Sequence, residues 1–459
     1  MCRRSKNSRC VSFYHLDTMS NRYIPHTDAD IKKMLERVGV SSVDELYNEI
    51  PEEVIFKDDY EVPTSMSETE LRKFFSSLAE KNKNRIVFAG QGAYDHYAPS
   101  VIPHLLSRSE FYTAYTPNQP EISQGTLQYI FEYQSMISDL TGMDCSNASI
   151  YDGATATAEA MFMMVASARK KNRVLLSPTL LPRVKDVVMT YAKFKEIEVT
   201  VLPEKEGVTD LSSISSELEK GDVAGIILPQ PNCYGIIEDF SGVAELVHKA
   251  KGFLAINSDP STLAVLRSPK EWGADIACGD GQSLGMPLMF GGPYLGYLAC
   301  DQALIRKMPG RVVGATTDAD GKRAFVLTLQ AREQHIRREK ATSNICSNQS
   351  LMCLYAVIYL SLLGAKGLAE VNEAASDGAH YLFDKLVASG KYLPAFPGKP
   401  FLKEFAVRPQ IDYKTVKKRL DENGILGGVE YKDDILVIAL TEQRTKKEID
   451  LLISLMTQD

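Results

Sequence analysis

Between Asn84 and Leu363 the chain alternates short, nearly continuous apolar runs with stretches of helical spacing, and this narrows its possible folds more than any other feature. The runs are Arg173–Ser177, Ile197–Leu202, Val223–Leu228, Phe253–Asn257, Asp275–Cys278 and Tyr294–Ala299. Helical patterns at Leu180–Lys195, Ser212–Lys220 and Val243–Lys251 separate most of them. Strands apolar on both sides, joined through helices, predict a mostly parallel sheet covered on both faces. In such a sheet the functional groups collect beyond the carboxyl ends of the strands.

The flanks read differently. Residues 1–18 carry Arg3, Arg4, Lys6 and Arg9 without an apolar run long enough for a signal sequence, and Met19 is a plausible start, so 1–18 is read as an extension. Residues 19–83 predict a helical arm: Thr27 and the Ser65–Ser67 stretch precede patterns running through Ile31, Met34, Leu35 and Val38, and through Phe74, Phe75 and Leu78. Pro51, Pro63 and the acidic stretch at 57–61 mark loops between them. Residues 84–363 form the large α/β domain. Residues 364–459 read helix, strand, helix, strand, helix, a small α/β domain whose strand alternation suits a sheet covered on one face.

With 459 residues and a net charge of -7, the chain has no cationic footprint for nucleic acid or an anionic membrane. Apolar stretches fall short of the roughly 20 residues a span needs. Eight cysteines and seven histidines are dispersed, with no Cys-x-x-Cys pair, which argues against a disulfide framework and against a metal site. Such a composition suits a cytoplasmic protein.

Several segments carry chemistry. Gly273–Gly296 resembles the segment that bears the cofactor lysine in pyridoxal-phosphate enzymes, but Gln282 and Ser283 stand where a His-Lys pair is expected, and the nearest lysines are Lys270 and Lys307. Asp259 ends the Phe253 strand, where an aspartate would pair with a protonated pyridine nitrogen; Asp-Pro is equally a common turn. Asp152, Gly153 and Thr155 open a long apolar helix. Gly153 would allow an unusual turn and the first-turn amides with Thr155 could hold a phosphate, or the segment is simply a helix capped by Asp152. Asn232 and Tyr234 sit in a strand-end loop that faces the same crevice or is a plain turn. Two polar-aromatic stretches, Phe88–Pro99 and Phe111–Gly125, are too rich in Gly, Tyr, Gln and His to be cheap unless they bind something. Gln330–Ile345, with Arg332, His335, Arg337, Arg338 and Lys340, reads as a solvated helix face or as a docking surface for an acidic partner.

The longest of these strings identify a family. Thr113–Gly125, Tyr151–Ala156, Gly273–Gly285, Leu329–Gln334 and Ser343–Gln349 resemble the P-proteins (glycine decarboxylases) of the glycine cleavage system, and specifically the alpha subunits, or subunit 1, of the split two-chain form. The likeness spans essentially everything after Met19. It implies a fold-type-I pyridoxal-phosphate transferase-like architecture, with alpha and beta chains paired like halves of an ancestral homodimer. It implies that the beta subunit carries pyridoxal phosphate covalently, that none is bound covalently to this chain, and that glycine loses CO2 while its aminomethyl group passes to lipoylated H-protein (EC 1.4.4.2). Tyr94, His96, Tyr115, Gln119 and Glu121 would then contribute to the partner's site. Asp152, Gly153, Thr155, Asp259, Gln282 and Ser283 would line a degenerate pocket here. Two other readings compete: a scaffold that only stabilises or regulates its partner, and a self-sufficient pyridoxal-phosphate enzyme, against which Ser283 argues directly.

Overall fold

The computed structural model describes residues 25–56, 61–432 and 434–458. The extension over 1–18, the start at Met19 and residues 57–60 of the acidic loop lie outside the described residues. The chain divides into two units, one ending at Lys83 and one beginning at Asn84.

In the first unit, helices Asp28–Val38 and Glu68–Ala79 begin where the sequence predicts. Thr27 and Ser67 each close a capping box with the acid three residues on, Asp30 and Glu70. Neither helix buries a side chain, and Val38, Tyr47, Val54, Phe74 and Phe75 are all exposed. Among its described residues this unit has no core of its own.

The second unit is built on a seven-stranded sheet in the order Cys145–Ser146, Gly296–Cys300, Ile276–Asp280, Phe253–Ser258, Val223–Gln230, Arg173–Leu176, Glu198–Val201. The last five are mutually parallel, and Gly296–Cys300 runs antiparallel to both its neighbours. Successive side chains enter opposite cores: Leu254 and Ile256 pack with helices Gln124–Thr141 and Ser350–Ala388, while Ala255 packs with Gly153–Ser167 and Pro182–Phe194. Covering both faces explains why these strands read as unbroken apolar runs.

Helix Ser350–Ala388 is long and apolar enough to cross a membrane by length and composition, which the sequence reading did not anticipate. Met352, Cys353, Ala356 and Tyr359 are instead buried in the core of the large sheet. The helix is interrupted at Gly364, with φ 61° and ψ -175°, a backbone region essentially restricted to glycine.

Beyond that kink, strands Tyr392–Pro394, Glu404–Pro409, Ile435–Ala439 and Val429–Tyr431 form an antiparallel sheet. The expectation of a sheet covered on one face is corrected here. Phe405, Val407, Leu436 and Ile438 pack under the helices, while Ala406, Ile435 and Val437 pack against Cys233, Tyr234 and Ile236 from the large sheet's loops. Ile86–Val87 pairs with Ile425–Leu426 as a separate two-stranded sheet, and the Phe88 carbonyl accepts from Ala439 N at 2.9 Å, which ties the chain just after Asn84 to the C-terminal sheet. The cationic run after Leu329 is not one helix but three short turns, Gln330–Arg332, Gln334–Arg337 and Arg338–Lys340.

Candidate functional site

Strands Val223–Gln230, Phe253–Ser258 and Ile276–Asp280 end at one edge of the large sheet, and the residues just beyond them meet the loop at 91–97 and the C-terminal sheet. They enclose a cavity of about 50 Å³ lined by Tyr94, Arg183, Asn257, Asp259, Asp280 and Ser283 among others.

Asp259 lies where the sequence places it, at the carboxyl end of its strand, and it is already paired. Lys403, itself 2% exposed, brings its Nζ to 2.7 Å from Oδ2, an ion pair off the line of a hydrogen bond. Oδ1 accepts from the Ser261 backbone N–H at 3.0 Å, from Ser261 Oγ at 2.9 Å and from Ser283 Oγ. Burial alone would raise this carboxyl's pKa, but the Lys403 charge and the hydroxyl donor outweigh it and hold it below the usual range. Lys403 also donates to Ser261 Oγ and His96 Nε2, both at 3.1 Å, and lies 4.2 Å from the centre of the Tyr94 ring. His96 Nδ1 meets Glu442 Oε2 at 2.7 Å. Burial, then the neighbouring ammonium, lowers the His96 pKa. The imidazole is therefore neutral at pH 7, donating from Nδ1 to Glu442 and accepting at Nε2 from Lys403.

A second layer closes the crevice. Tyr94 donates its hydroxyl to Glu404 Oε2 at 3.0 Å, and the Gln91 backbone N–H donates to Glu404 Oε1 at 2.6 Å. The Gln282 amide bridges Tyr94: Oε1 accepts from its N–H and Nε2 donates to its carbonyl, both at 2.7 Å. Gln282 is thus a fastener rather than a ligand.

The N-terminus of helix Gly153–Ser167 is filled as well. Asp152 Oδ1 accepts from Thr155 N at 2.7 Å, and Asp280 Oδ2 accepts from Gly153 N at 2.9 Å. Burial pushes the Asp280 carboxyl up to about 6, opposed by the backbone amides of Gly153 and Gln282 that donate to it. The capped-helix reading describes this segment. Gly153 is not needed for an unusual turn; a Cβ there would lie 2.7 Å from both Cβ and N of Asp280, so glycine lets helix and strand approach. Asn232 is also a turn builder, its Oδ1 accepting from Tyr234 N and Ile236 N. Tyr234 turns away to pack on Phe396, with ring centres 4.7 Å apart.

Pyridoxal phosphate does not fit this crevice. No lysine stands at 283, Asp259 already has a cation, carboxylates cap the amides that would face a phosphate, and the space is far below the roughly 300 Å³ at which ligand pockets begin. Among the described residues no group of three or more His, Cys, Asp or Glu side chains is placed to hold a metal.

The five residues expected to serve a partner separate into two places. Tyr94 and His96, at 8% and 2% exposure, are held inside this chain's own crevice. Tyr115, at 88%, is exposed, as are Gln119 and Glu121. Tyr115 lines an open cleft of about 240 Å³ with Asn118, Arg311, Gln334, His335 and Cys346. Lys403, Glu404, Glu442, Asp280 and Arg183 were missed by sequence reasoning. Asp280, three residues before Ser283, had a usable signal; Lys403 and Glu442 had none, because the fold alone brings them to Asp259 and His96.

A sheet of this order, with its crevice at the strand ends and a smaller C-terminal sheet beside it, defines the fold-type-I pyridoxal-phosphate enzymes. A sphingosine-1-phosphate lyase from Burkholderia pseudomallei superposes with TM-score 0.64 at 15% identity over 87% of this chain and 92% of its own, a likeness of fold. A Lactobacillus brevis glutamate decarboxylase gives 0.66 at 13%, covering 88% and 95%. The chain belongs to the glycine cleavage system P-protein family, whose profile matches residues 21–456. A probable glycine dehydrogenase (decarboxylating) subunit 1 of a Geobacillus species is 49% identical over 95% of this chain and 98% of its own length. The protein of the same description from Carboxydothermus hydrogenoformans is 48% identical over 95% and 100%. A crystal structure of glycine decarboxylase (P-protein) of the glycine cleavage system, in inhibitor-bound form, superposes with TM-score 0.86 at 39% identity, covering 95% and 99%.

Proposed function

We propose that this chain is subunit 1, the cofactor-free half, of a cytoplasmic two-subunit glycine dehydrogenase (decarboxylating). Its second subunit holds pyridoxal phosphate on a lysine, and lipoylated H-protein accepts the aminomethyl group after glycine loses CO2. The observation that carries the reading is the combination of relatives named subunit 1 along nearly the whole chain with a crevice that has filled its own cofactor position. The cofactor would act as electron sink in the partner's site. This chain's part would be to wall that site with the loop bearing Tyr115, Gln119 and Glu121, excluding water and orienting glycine. Its uncovered N-terminal helices would supply further contact with the second subunit.

The filled crevice also suits a second reading, a scaffold without chemical contribution. Both are tested by reconstituting the complex and measuring glycine-dependent exchange of labelled CO2. The chain alone should be inactive and show no visible band from lysine-bound cofactor; such a band would sink the proposal. Tyr115→Ala or Glu121→Ala should slow exchange by about 10²-fold with the complex intact, the loss typical of misplaced positioning groups. Unchanged exchange would favour the scaffold.

A further inference from the structure

A second cleft, of about 250 Å³, lies away from the filled crevice, bounded by the turn Gln302–Lys307 and by the cationic run after Leu329. Arg306, Lys307, Arg332, Arg337 and Lys340 line it together with Thr342, and no acidic side chain does. None of the five cations is in an ion pair among the described residues. The nearest acid in sequence to Arg332, Glu333, is directed to His335 at 3.6 Å.

The convergence is built by the backbone. Leu329 and Arg338 both have positive φ, 54° and 51°, which side-chain-bearing residues adopt only where their surroundings impose it. The two positive-φ residues break the run into three short turns, and Arg332, Arg337 and Lys340 all border one cleft. At its floor Arg332 donates from Nη1 to the Met308 carbonyl, while Nε and Nη2 are buried without an acceptor. Buried guanidinium nitrogens in that state are costly and leave a fixed positive charge under the cleft.

We propose that this cleft is a binding site for a small phosphate dianion, either inorganic phosphate or the terminal group of a phosphate monoester. Five cations around one cleft exceed what a single carboxylate would balance. A guanidinium fork beside lysines and a threonine hydroxyl matches several oxygens on one tetrahedral centre. The volume admits a small molecule and excludes a helix or a nucleic-acid duplex. The inference does not rest on the function proposed above.

Titrating the purified full chain with inorganic phosphate, with chloride holding ionic strength constant, tests it by calorimetry and by thermal unfolding. Saturable binding in the millimolar range or tighter, with a rise in Tm that follows occupancy, is expected. Arg306→Gln with Lys340→Gln should weaken it at least about tenfold while leaving the phosphate-free Tm unchanged, because both side chains are exposed. Glycerol phosphate as a second titrant separates the sources: binding at least as tight as phosphate assigns a monoester, weaker binding assigns free phosphate. No saturable response beyond chloride, equal binding of succinate, or undiminished binding by the double variant would each overturn the assignment.

Discussion

Lys403 and Asp259 show how much of this molecule turns on one buried pair. Two charges taken out of water hold together only while both are present. Lys403→Met should therefore cost about 3–5 kcal/mol in urea unfolding, and adding Asp259→Asn to it should recover most of that loss, because the remaining groups are neutral. Glu404 makes a prediction with the opposite flavour. Burial holds its carboxyl at about 7, above the roughly 4.3 of an unfolded chain, so its contribution to stability is full at low pH and is lost as the pH rises to about 7. Glu404→Gln removes that dependence. Between pH 5 and pH 8 the stability difference should move in the variant's favour by up to about 3 kcal/mol, and a constant difference would refute the assignment. Asp259 could be placed at the sheet edge because it ends an apolar strand run, and Gln282 and Ser283 drew attention because they interrupt a long recognisable string. Their partners were not, since a buried lysine on a distant strand looks in sequence like any surface lysine. The burial of Tyr94 and His96 was not legible for a related reason: a polar-aromatic loop reads the same whether it faces outward or is folded inward under Glu404 and Glu442.

At the scale of elements, periodicity and caps carried the reading. The starts at Thr27 and Ser67 are both capping boxes in the structure, and the parallel strands fall on their apolar runs. Legibility failed where a single backbone torsion decides the outcome. Nothing in the composition of Gln330–Lys340 announces that Leu329 and Arg338 are left-handed, so a helical charge pattern became three turns. The small sheet's second covered face was hidden likewise, because the loop at Cys233–Ile236 that covers it comes from the other sheet. Gly364 offers a clean test of torsion alone. A Cβ there meets nothing within 4 Å, so Gly364→Ala should destabilise by about 1–3 kcal/mol through backbone strain without any clash. A stability change below about 0.5 kcal/mol would mean that the helix straightens at no cost.

Across the whole molecule, the two units differ in kind. Residues from Asn84 onward fill two cores on the large sheet and another under the C-terminal sheet, whereas the helices before Lys83 bury nothing. Stability comes from burial rather than from capping, so a fragment of residues 19–83 alone should show weak helicity by circular dichroism and no cooperative unfolding. A sharp thermal transition in that fragment would contradict this. The α/β architecture and the position of the crevice were readable from sequence because strand patterning and strand ends are local. That the crevice is full was not, since occupancy depends on groups assembled from widely separated parts of the chain.

The ion pair at Asp259 also acts as a ratchet. Ser283→Lys alone would set a second ammonium beside Lys403, and removing Lys403 first would strand a buried carboxylate. Asp152 and Asp280 would still cap the helix that a phosphate needs. Each single step toward a cofactor site therefore runs uphill, and only several changes made together would cross. The crevice is kept filled by the shape of the chain's own energy surface.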